Sequence, residues 1–264
     1  MIALLAANTV WGFSIGDLVL GALAAITIGL GKTAIPGAGM LAVPLVANVF
    51  DGRPTVGATL IILVTADLFA VRWYRQHTRW DVLRGMVPWI LLGYIAGAWF
   101  FIAIGSGGRT LDVTMGVTIL VMVLLQSARM IRKSPPREPS IGASAFYGST
   151  GGFATFVSNN AGPIMNAHLL RLGLEKAELV GTSAWFYFGV NIAKFPIYAA
   201  IGWWASGGGF FTVDAGKFAV LMIPVVVAAV LVGRRLFHVV PTRLFVSVVL
   251  VLAAAASVKL LAGW

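Results

Sequence analysis

Apolar runs long enough to cross a lipid bilayer recur along this chain of 264 residues, and they restrict its fold more than any other feature. Hydrophobic residues make up 59% of the chain and charged residues only 11%, whereas a soluble domain has about 25% charged residues. A surface with so few charges would not stay in water, so lipid is the expected solvent. We therefore predict an all-α integral membrane protein, because a helix satisfies its own backbone hydrogen bonds inside lipid.

Six stretches have the length of a membrane-spanning helix, which needs about 17 to 25 apolar residues. They are 55–71, 85–104, 111–130, 178–201, 215–233 and 243–262. Two further apolar stretches, 14–50 and 142–170, are too long for one crossing and are interrupted by glycine, proline and polar residues. The N-terminal MIALLAANTVWGF lacks the basic region of a signal peptide, so we expect it to belong to the first membrane segment.

Loop charges predict the orientation, because cytoplasmic loops of membrane proteins carry an excess of lysine and arginine. Three loops are strongly basic and are assigned to the cytoplasm. Their residues are Arg72, Arg75, Arg79 and Arg84, then Arg129, Arg132, Lys133 and Arg137, then Arg234, Arg235 and Arg243. Stretch 14–50 must then begin and end outside, and stretch 142–170 must begin and end in the cytoplasm. We predict that each is a re-entrant hairpin, with turns near Ile35–Gly39 and at the sequence SNNAG.

The two halves of the chain are related in sequence. VGATLIILVTADLFAVRWY (56–74) aligns with VGTSAWFYFGVNIAKFPIY (180–198), which places Asp67 opposite Asn191. Each half is a hairpin plus three spans, an odd number of crossings, so the halves must be inverted relative to each other. Inverted repeats whose broken helices meet near mid-membrane are frequent in secondary transporters. The predicted divisions are a first repeat (1–131), a cytoplasmic linker containing RKSPPREPS (132–141) and a second repeat (142–264).

The turns of the two hairpins are the predicted substrate site. Backbone groups at membrane depth must be paired or face water, and a helix that begins at each tip, near Gly39 and Gly162, would turn free N–H groups and its positive dipole end towards an anion. Asparagines at the second tip either bind this anion or satisfy the backbone of the tip itself. The candidates are Lys32, Thr33, Gly39, Ser158, Asn159, Asn160, Gly162, Asn166, Ser183, Asn191 and Lys194.

Ionisable residues inside spans are costly to bury and are functional candidates. Lys32 and Lys194 are candidates to supply positive charge to an oxyanion, with snorkelling to a membrane interface as the alternative. Asp67 is the candidate for a coupling proton, and a structural pairing with Arg72 is the alternative. No acid near Ser158 and His168 completes a triad, and no GxSxG or HExxH motif occurs. We therefore predict no catalytic residue, no metal site and no cofactor.

Two long blocks of the chain resemble the TauE/SafE sulfite exporter family. They are GKTAIPGAGMLAVPLVA followed by VGATLIILVTADLFAVRWYRQHTRW, and GGFATFVSNNAGPIM followed by VGTSAWFYFGVNIAKFPIYAAIG. The resemblance implies a multi-pass carrier in a bacterial inner membrane for sulfite, organosulfonates or sulfoacetate-like anions, with a duplicated fold and export driven by an ion gradient. By motif it adds Pro36 and Gly37 to the site candidates. Many relatives have a glycine-rich tip where this chain has SNN, so a substrate other than sulfite stays open.

We expect a secondary transporter that binds a small anion between the two tips and works by alternating access. An anion channel, a carrier of a small carboxylate, a membrane enzyme and a structural subunit stay open as alternatives. The expected partners are the anionic substrate and the lipid bilayer. Membrane topology explains the net charge of +10, so no nucleic-acid partner is expected. Whether copies of the chain form a homo-oligomer stays open.

Overall fold

The computed structural model of the chain describes residues 9–35, 37–104, 108–131, 138–204, 209–236 and 242–263. This part is almost entirely helical. The helices are α1 (Ile15–Thr33), α2 (Ala42–Val46), α3 (Arg53–Tyr74), α4 (Trp80–Ala103), α5 (Gly108–Ile131), α6 (Ile141–Ser158), α7 (Gly162–Arg171), α8 (Lys176–Trp204), α9 (Val213–Leu236) and α10 (Thr242–Ala262). Short 3₁₀ helices at Ala38–Leu41 and Arg75–His77 and two antiparallel strands, β1 (Thr9–Val10) and β2 (Phe13–Ser14), accompany them. The predicted linker lies largely outside the described residues.

The six predicted spans correspond to the six long helices α3, α4, α5, α8, α9 and α10. By length and composition, five segments of the described residues can cross a membrane: α1, α3 with the turn after it, α4, most of α5, and α9. Helix α8 has 29 residues, about 43 Å at 1.5 Å per residue, but Asn191 and Lys194 near its middle reduce its hydropathy. The chain is therefore an all-α, multi-pass membrane protein, as predicted.

The apolar stretch 142–170 contains the predicted helix break. Helix α6 ends at Ser158, and Asn159 follows in the left-handed conformation with φ of 53°, which asparagine tolerates better than most residues. Helix α7 begins at the predicted position, Gly162, with proline in its first turn. The rings of Tyr147 and His168 lie 5.1 Å apart, and Gly151, further along α6, lies against Ile164 near the start of α7. The two arms therefore pack side by side and run antiparallel.

The stretch 14–50 is also broken, but its second arm differs from the prediction. The chain turns through Gly37, whose φ of 95° is accessible mainly to glycine, and Gly31 of the first arm packs against the backbone of Gly39. The second arm is a single 3₁₀ turn followed by the five-residue α2, not one helix that starts near Gly39. Pro44 contributes to this irregularity because it lacks a backbone N–H.

The described part of the N-terminal segment, residues 9–14, forms two short strands and not part of the first membrane helix, so the prediction is wrong for this part. Strands β1 and β2 pair across Trp11 and Gly12, whose φ angles are 55° and 93°. Helix α1 begins only after Ser14, because the Ser14 side chain accepts from the backbone N–H of Asp17 and the Asp17 carboxylate accepts from the backbone N–H of Ser14. This capping box sets the start of the helix.

The same order of elements occurs twice: a broken segment followed by three long helices. Two pairs of helices pack in parallel, α4 with α6 and α1 with α9. Glycines let the backbones of each pair approach closely. Contacts that lie later along one helix also lie later along its partner, so the two helices run in the same direction. These contacts are Gly93 with Ser149, Gly97 with Phe156, Gly21 with Phe218 and Gly29 with Ala229.

Two other pairs run antiparallel, and each joins helices that hold the same place in the two halves. Helix α3 packs on α8 through Asp67 with Asn191 and through Tyr74 with Gly181. Helix α5 packs on α10 near their opposite ends, where Arg109 donates to the carbonyl oxygen of Leu260 at 2.7 Å. Helices α3 and α8 thus cross the middle of the molecule beside both breaks.

Candidate functional site

The two helix breaks face a common cavity between α3 and α8. The empty space between the lining residues, part of it open to solvent, is about 730 Å³. Nine of the residues predicted from the sequence line this cavity. They are Lys32, Gly37, Gly39, Asn159, Asn160, Gly162, Asn166, Ser183 and Asn191.

Four predicted site residues are not part of the described lining. Thr33 and Ser158 donate their hydroxyl protons to carbonyl oxygens of their own helices, those of Gly29 and Ala154, both at 2.9 Å. Serine and threonine in apolar helices often bond in this way. Lys194 lies behind the lining residues Asn159 and Asn191. Pro36 lies outside the described residues.

Asp67 on α3 holds the first break through an ion pair. Its Oδ1 lies 2.6 Å from Nζ of Lys32, and its Oδ2 accepts a hydrogen bond from Nδ2 of Asn191 at 2.6 Å. The alternative pairing with Arg72 is wrong, since Arg72 is exposed and the Asp67 side chain is fully buried. The two residues that the sequence alignment placed opposite each other, Asp67 and Asn191, are therefore in direct contact.

Lys194 on α8 holds the second break. Its Nζ donates to Oγ1 of Thr155 at 2.8 Å, to Oδ1 of Asn159 at 2.8 Å and to Oδ1 of Asn191 at 2.9 Å. An ammonium group has three N–H donors, and each one here has an oxygen acceptor. Snorkelling is wrong for this residue because the side chain is completely buried. Through Asn191, Lys194 joins the ion pair of the first break to the amides of the second.

The asparagines of the second break have different roles. Asn159 is used within the protein, since its oxygen accepts from Lys194 and its Nδ2 donates to the carbonyl oxygen of Val56 at 2.9 Å. Asn160 is only 3% exposed, yet its Nδ2 has no hydrogen-bond partner in the described part of the protein. The hydroxyl of Ser183 is likewise buried and unpaired there. Buried polar groups without a protein partner are uncommon, and those in a cavity lining are available to a ligand or to water.

The charge and dipoles beside the cavity favour an anion. Two lysines, Lys32 and Lys194, adjoin a single acid, Asp67. Helix α7 begins at Gly162 in the cavity lining, and the N–H groups of a first helical turn have no partner inside the helix. The unpaired amide of Asn160 lies two residues before this helix start. In the described part of the chain, no group of three or more His, Asp or Glu side chains could hold a metal ion.

Tyr187 is a lining residue that the sequence analysis missed. Nζ of Lys32 lies 3.9 Å from the centroid of its ring, a favourable position for a cation on an aromatic face. Its hydroxyl lies 3.4 Å from the carbonyl oxygen of Gly162. The sequence did contain a signal for Tyr187. It lies four residues after Ser183 and four before Asn191, and residues at this spacing share one face of a helix.

An aromatic cluster lies further along α8 than Asn191, the last residue of this helix in the cavity lining. The rings of Tyr198 and Phe210 stack at a centroid distance of 4.2 Å, and Phe101 and Phe156 pack against Tyr198 edge-on. All four are almost completely buried. The opposite end of the cavity is lined by Leu179 and Val180 at the start of α8, where the backbone N–H of Arg79 donates to the neighbouring Thr182. The cavity therefore extends from the breaks towards the arginine-rich end.

A family model described as sulfite exporter TauE/SafE matches residues 20–260 of the chain. A comparison with curated proteins finds no match. The matched region contains both helix breaks, both crossing helices and every described residue of the cavity lining.

Proposed function

The chain belongs to the sulfite exporter TauE/SafE family, and on this premise we propose that it is a secondary transporter which exports small sulfur-containing anions by alternating access. Sulfite, organosulfonates and sulfoacetate-like compounds are the proposed substrates. The observation that carries the proposal is the unpaired, buried amide of Asn160, which lies beside the start of α7 in a cavity flanked by more lysines than acids.

An oxyanion in this cavity would give each unpaired group a partner. Nδ2 of Asn160 and Oγ of Ser183 would donate to its oxygens, together with backbone N–H groups of the first turn of α7. Lys32 would contribute a point charge from the first break. Hydrogen bonds to a charged acceptor are about twice as strong as those between neutral groups. Sulfite and sulfonates present three oxygens, which suits several fixed donors arranged around one centre.

The proposed architecture is a pair of inverted repeats with two re-entrant hairpins. Its first support is that helices in equivalent positions, α3 with α8 and α5 with α10, run antiparallel. Its second support is that each broken segment starts and finishes at the same end of the molecule. For the first segment, the rings of Phe13 and Phe50, at its two ends, are 5.9 Å apart. For the second segment, Ser144 near its start lies beside Gly85, and Glu178 just after its end lies 3.8 Å from Arg79, so both ends lie beside the start of α4.

The two hairpins would penetrate the bilayer to a similar and considerable depth. Helices α1 and α6 have 19 and 18 residues, so each first arm is about 27–29 Å long at 1.5 Å per residue. The hydrocarbon core is about 30 Å thick. Arms that lay along the membrane normal would carry their tips past the midplane, so the tips would overlap in depth. Such an overlap fits the bonds that link Lys32, Asp67, Asn191 and Lys194 across the two halves.

Alternating access is supported by the position of the cavity along α8. Its lining on this helix runs from Leu179, near the arginine-rich end assigned to the cytoplasm, to Asn191, and the aromatic cluster around Tyr198 lies beyond it. A carrier that is open to one side only would have this form. A channel would keep a continuous pore through the same site.

Transport by purified protein in lipid vesicles tests the proposal. We expect saturable uptake of sulfite and organosulfonates and much weaker uptake of acetate as the carboxylate control. Asn160→Ala should reduce uptake at low substrate concentration, whereas Gln76→Ala, which removes an exposed amide that is not part of the described cavity lining, should not. Flux that never saturates would favour a channel, and equal uptake of acetate would refute specificity for sulfur anions.

A further inference from the structure

Lys32 stands between the cavity and a buried carboxylate. Among the described residues that line the cavity, it is the only one with a formal charge. Its Nζ lies 2.6 Å from Oδ1 of Asp67, and its side chain is 10% exposed whereas that of Asp67 is 0% exposed. An anion that enters the cavity therefore meets a lysine that is already in an ion pair with Asp67, on the side away from the cavity.

The groups that face Asp67 come from few elements. Helix α1 contributes Lys32, and α8 contributes Asn191, Tyr187 and, through Asn191, Lys194. Helix α9 packs on another side of α3, but its charged residues lie only near its two ends, and α2 has no titratable residue. In the described part of the chain, Lys32 is the sole ion-pair partner of Asp67.

Transfer of Lys32 to an anion would leave Oδ1 of Asp67 without a partner. Its other oxygen, Oδ2, would keep the hydrogen bond from Asn191. A buried carboxylate that loses its counter-ion is strongly unfavourable, and a proton on the freed oxygen removes the charge. Lys194 cannot take the place of Lys32 at this oxygen, because its three donors already serve Thr155, Asn159 and Asn191.

We propose that Asp67 is a proton site linked to the anion site: when the anion draws Lys32 into the cavity, Asp67 takes up one proton on Oδ1. This inference rests on the proposed function and specifies its coupling ion. The proton comes from water that reaches the cavity, and it returns to water when the anion leaves and Lys32 pairs with Asp67 again. The counterpart of Asp67 in the other half is Asn191, which has no carboxylate, so the pair supplies a single proton site.

The charges of the complex define the transport stoichiometry. A monovalent anion and one proton together carry no net charge, so their joint movement is electroneutral. Both ions move in the same direction, because both occupy the same loaded state. Export then requires an outward anion gradient that exceeds the inward proton gradient.

Proton uptake during binding tests the proposal directly. Isethionate and methanesulfonate are suitable probes, because these monovalent sulfonates do not exchange protons near neutral pH. Binding is measured by calorimetry and proton uptake by an indicator dye in weakly buffered detergent solution. For the wild-type protein we expect about one proton taken up per sulfonate bound.

Asp67→Asn should bind both sulfonates at least as tightly as the wild type, with no proton uptake and with an affinity that does not change with pH. Asp112→Asn is the matched control, because it removes a partly buried acid of α5 away from the cavity, and it should keep the wild-type stoichiometry. Binding without proton uptake in the wild type, or proton uptake that persists in Asp67→Asn, would overturn the proton site.

Failure of the proposed function gives a different result. If the wild-type protein binds neither sulfonate nor sulfite, the anion site itself is refuted. If Asp67→Asn does not yield folded protein, the stoichiometry of the wild type alone decides whether a proton is bound with the anion.

Discussion

The two helix breaks hold equivalent places in the two halves, yet they present different chemistry to the cavity. The first break contributes a lysine in an ion pair and a second arm that is largely irregular. The second contributes asparagine amides and the start of a regular ten-residue helix. With the shift that aligns Ala38-Gly39 with Ala161-Gly162, Lys32 falls opposite Thr155. The two breaks thus share their place in the order of elements but differ in their charges and in the form of the second arm.

The lysines show how this asymmetry arises. The second break is also held by a lysine, but Lys194 comes from the crossing helix α8 and falls opposite Ala70 in the first half. Asp67 and Asn191, by contrast, are opposite each other in the alignment and touch in the structure. In the inverted-repeat architecture proposed above, equivalent residues can touch only near the two-fold axis. The contact between Asp67 and Asn191 would then place the charged network at that axis, where one acid serves both halves.

Removal of Lys194 should produce the largest loss of stability. Lys194→Met leaves oxygens of Thr155, Asn159 and Asn191 without their donor, and we expect a loss of about 4 kcal/mol in the free energy of unfolding. Lys32→Met should cost less, because Asp67 can relieve its lost ion pair by binding a proton. Thermal unfolding of the detergent-solubilised variants measures both. Equal losses would show that the two breaks are held with the same strength.

The ion pair of the first break should show coupling in a double-mutant cycle. Lys32→Met and Asp67→Leu each leave a charged partner behind, and we expect each to cost about 3 kcal/mol. The double variant should lose less than the sum of the two single losses, by about 1–3 kcal/mol. Denaturation midpoints at constant detergent concentration provide the comparison. Strict additivity would mean that Lys32 and Asp67 do not interact energetically.

Asn159 and Asn160 should separate stability from binding. Asn160→Ala removes a donor that has no protein partner, so the melting temperature should change little while sulfonate affinity falls about 5- to 10-fold. Asn159→Ala removes bonds to Lys194 and Val56, so it should lower the melting temperature by several degrees. Calorimetric titration and thermal unfolding of the same samples test both statements. A lower melting temperature for Asn160→Ala with unchanged affinity would reverse the two assignments.

Tyr187 should produce the smallest effect. Tyr187→Phe keeps the ring beside Lys32 and removes only a long hydrogen bond to Gly162, so sulfonate affinity should change less than about 2-fold. Tyr187→Leu removes the aromatic face, so the cation–π interaction that holds the Lys32 ammonium group, worth about 0.5–2 kcal/mol, should be lost. The two variants differ mainly in the ring, so identical affinities would exclude a contribution from the cation–π contact.

Features that depend on short segments were predictable from the sequence. Apolar length located the six long helices, and the asparagines with Gly-Pro located the second break. The prediction was weaker at the first break, because proline and closely spaced glycines signal an interruption without specifying whether a 3₁₀ turn or an α-helix follows it. The N-terminal strands were missed because apolar residues are equally compatible with a membrane helix and with a short hairpin.

The amino-acid sequence alone determined that this chain folds as membrane helices, where two of its segments break, and which family it belongs to. These properties follow from hydropathy, helix-breaking residues and motifs, all of which act over short stretches. Only the tertiary structure decided that Lys32 pairs with Asp67, that Lys194 binds Asn159, and that the amide of the lining residue Asn160 is buried without a partner among the described residues. Each of these facts depends on distances between separate helices, and the polar groups of a membrane interior have several available partners until packing selects one.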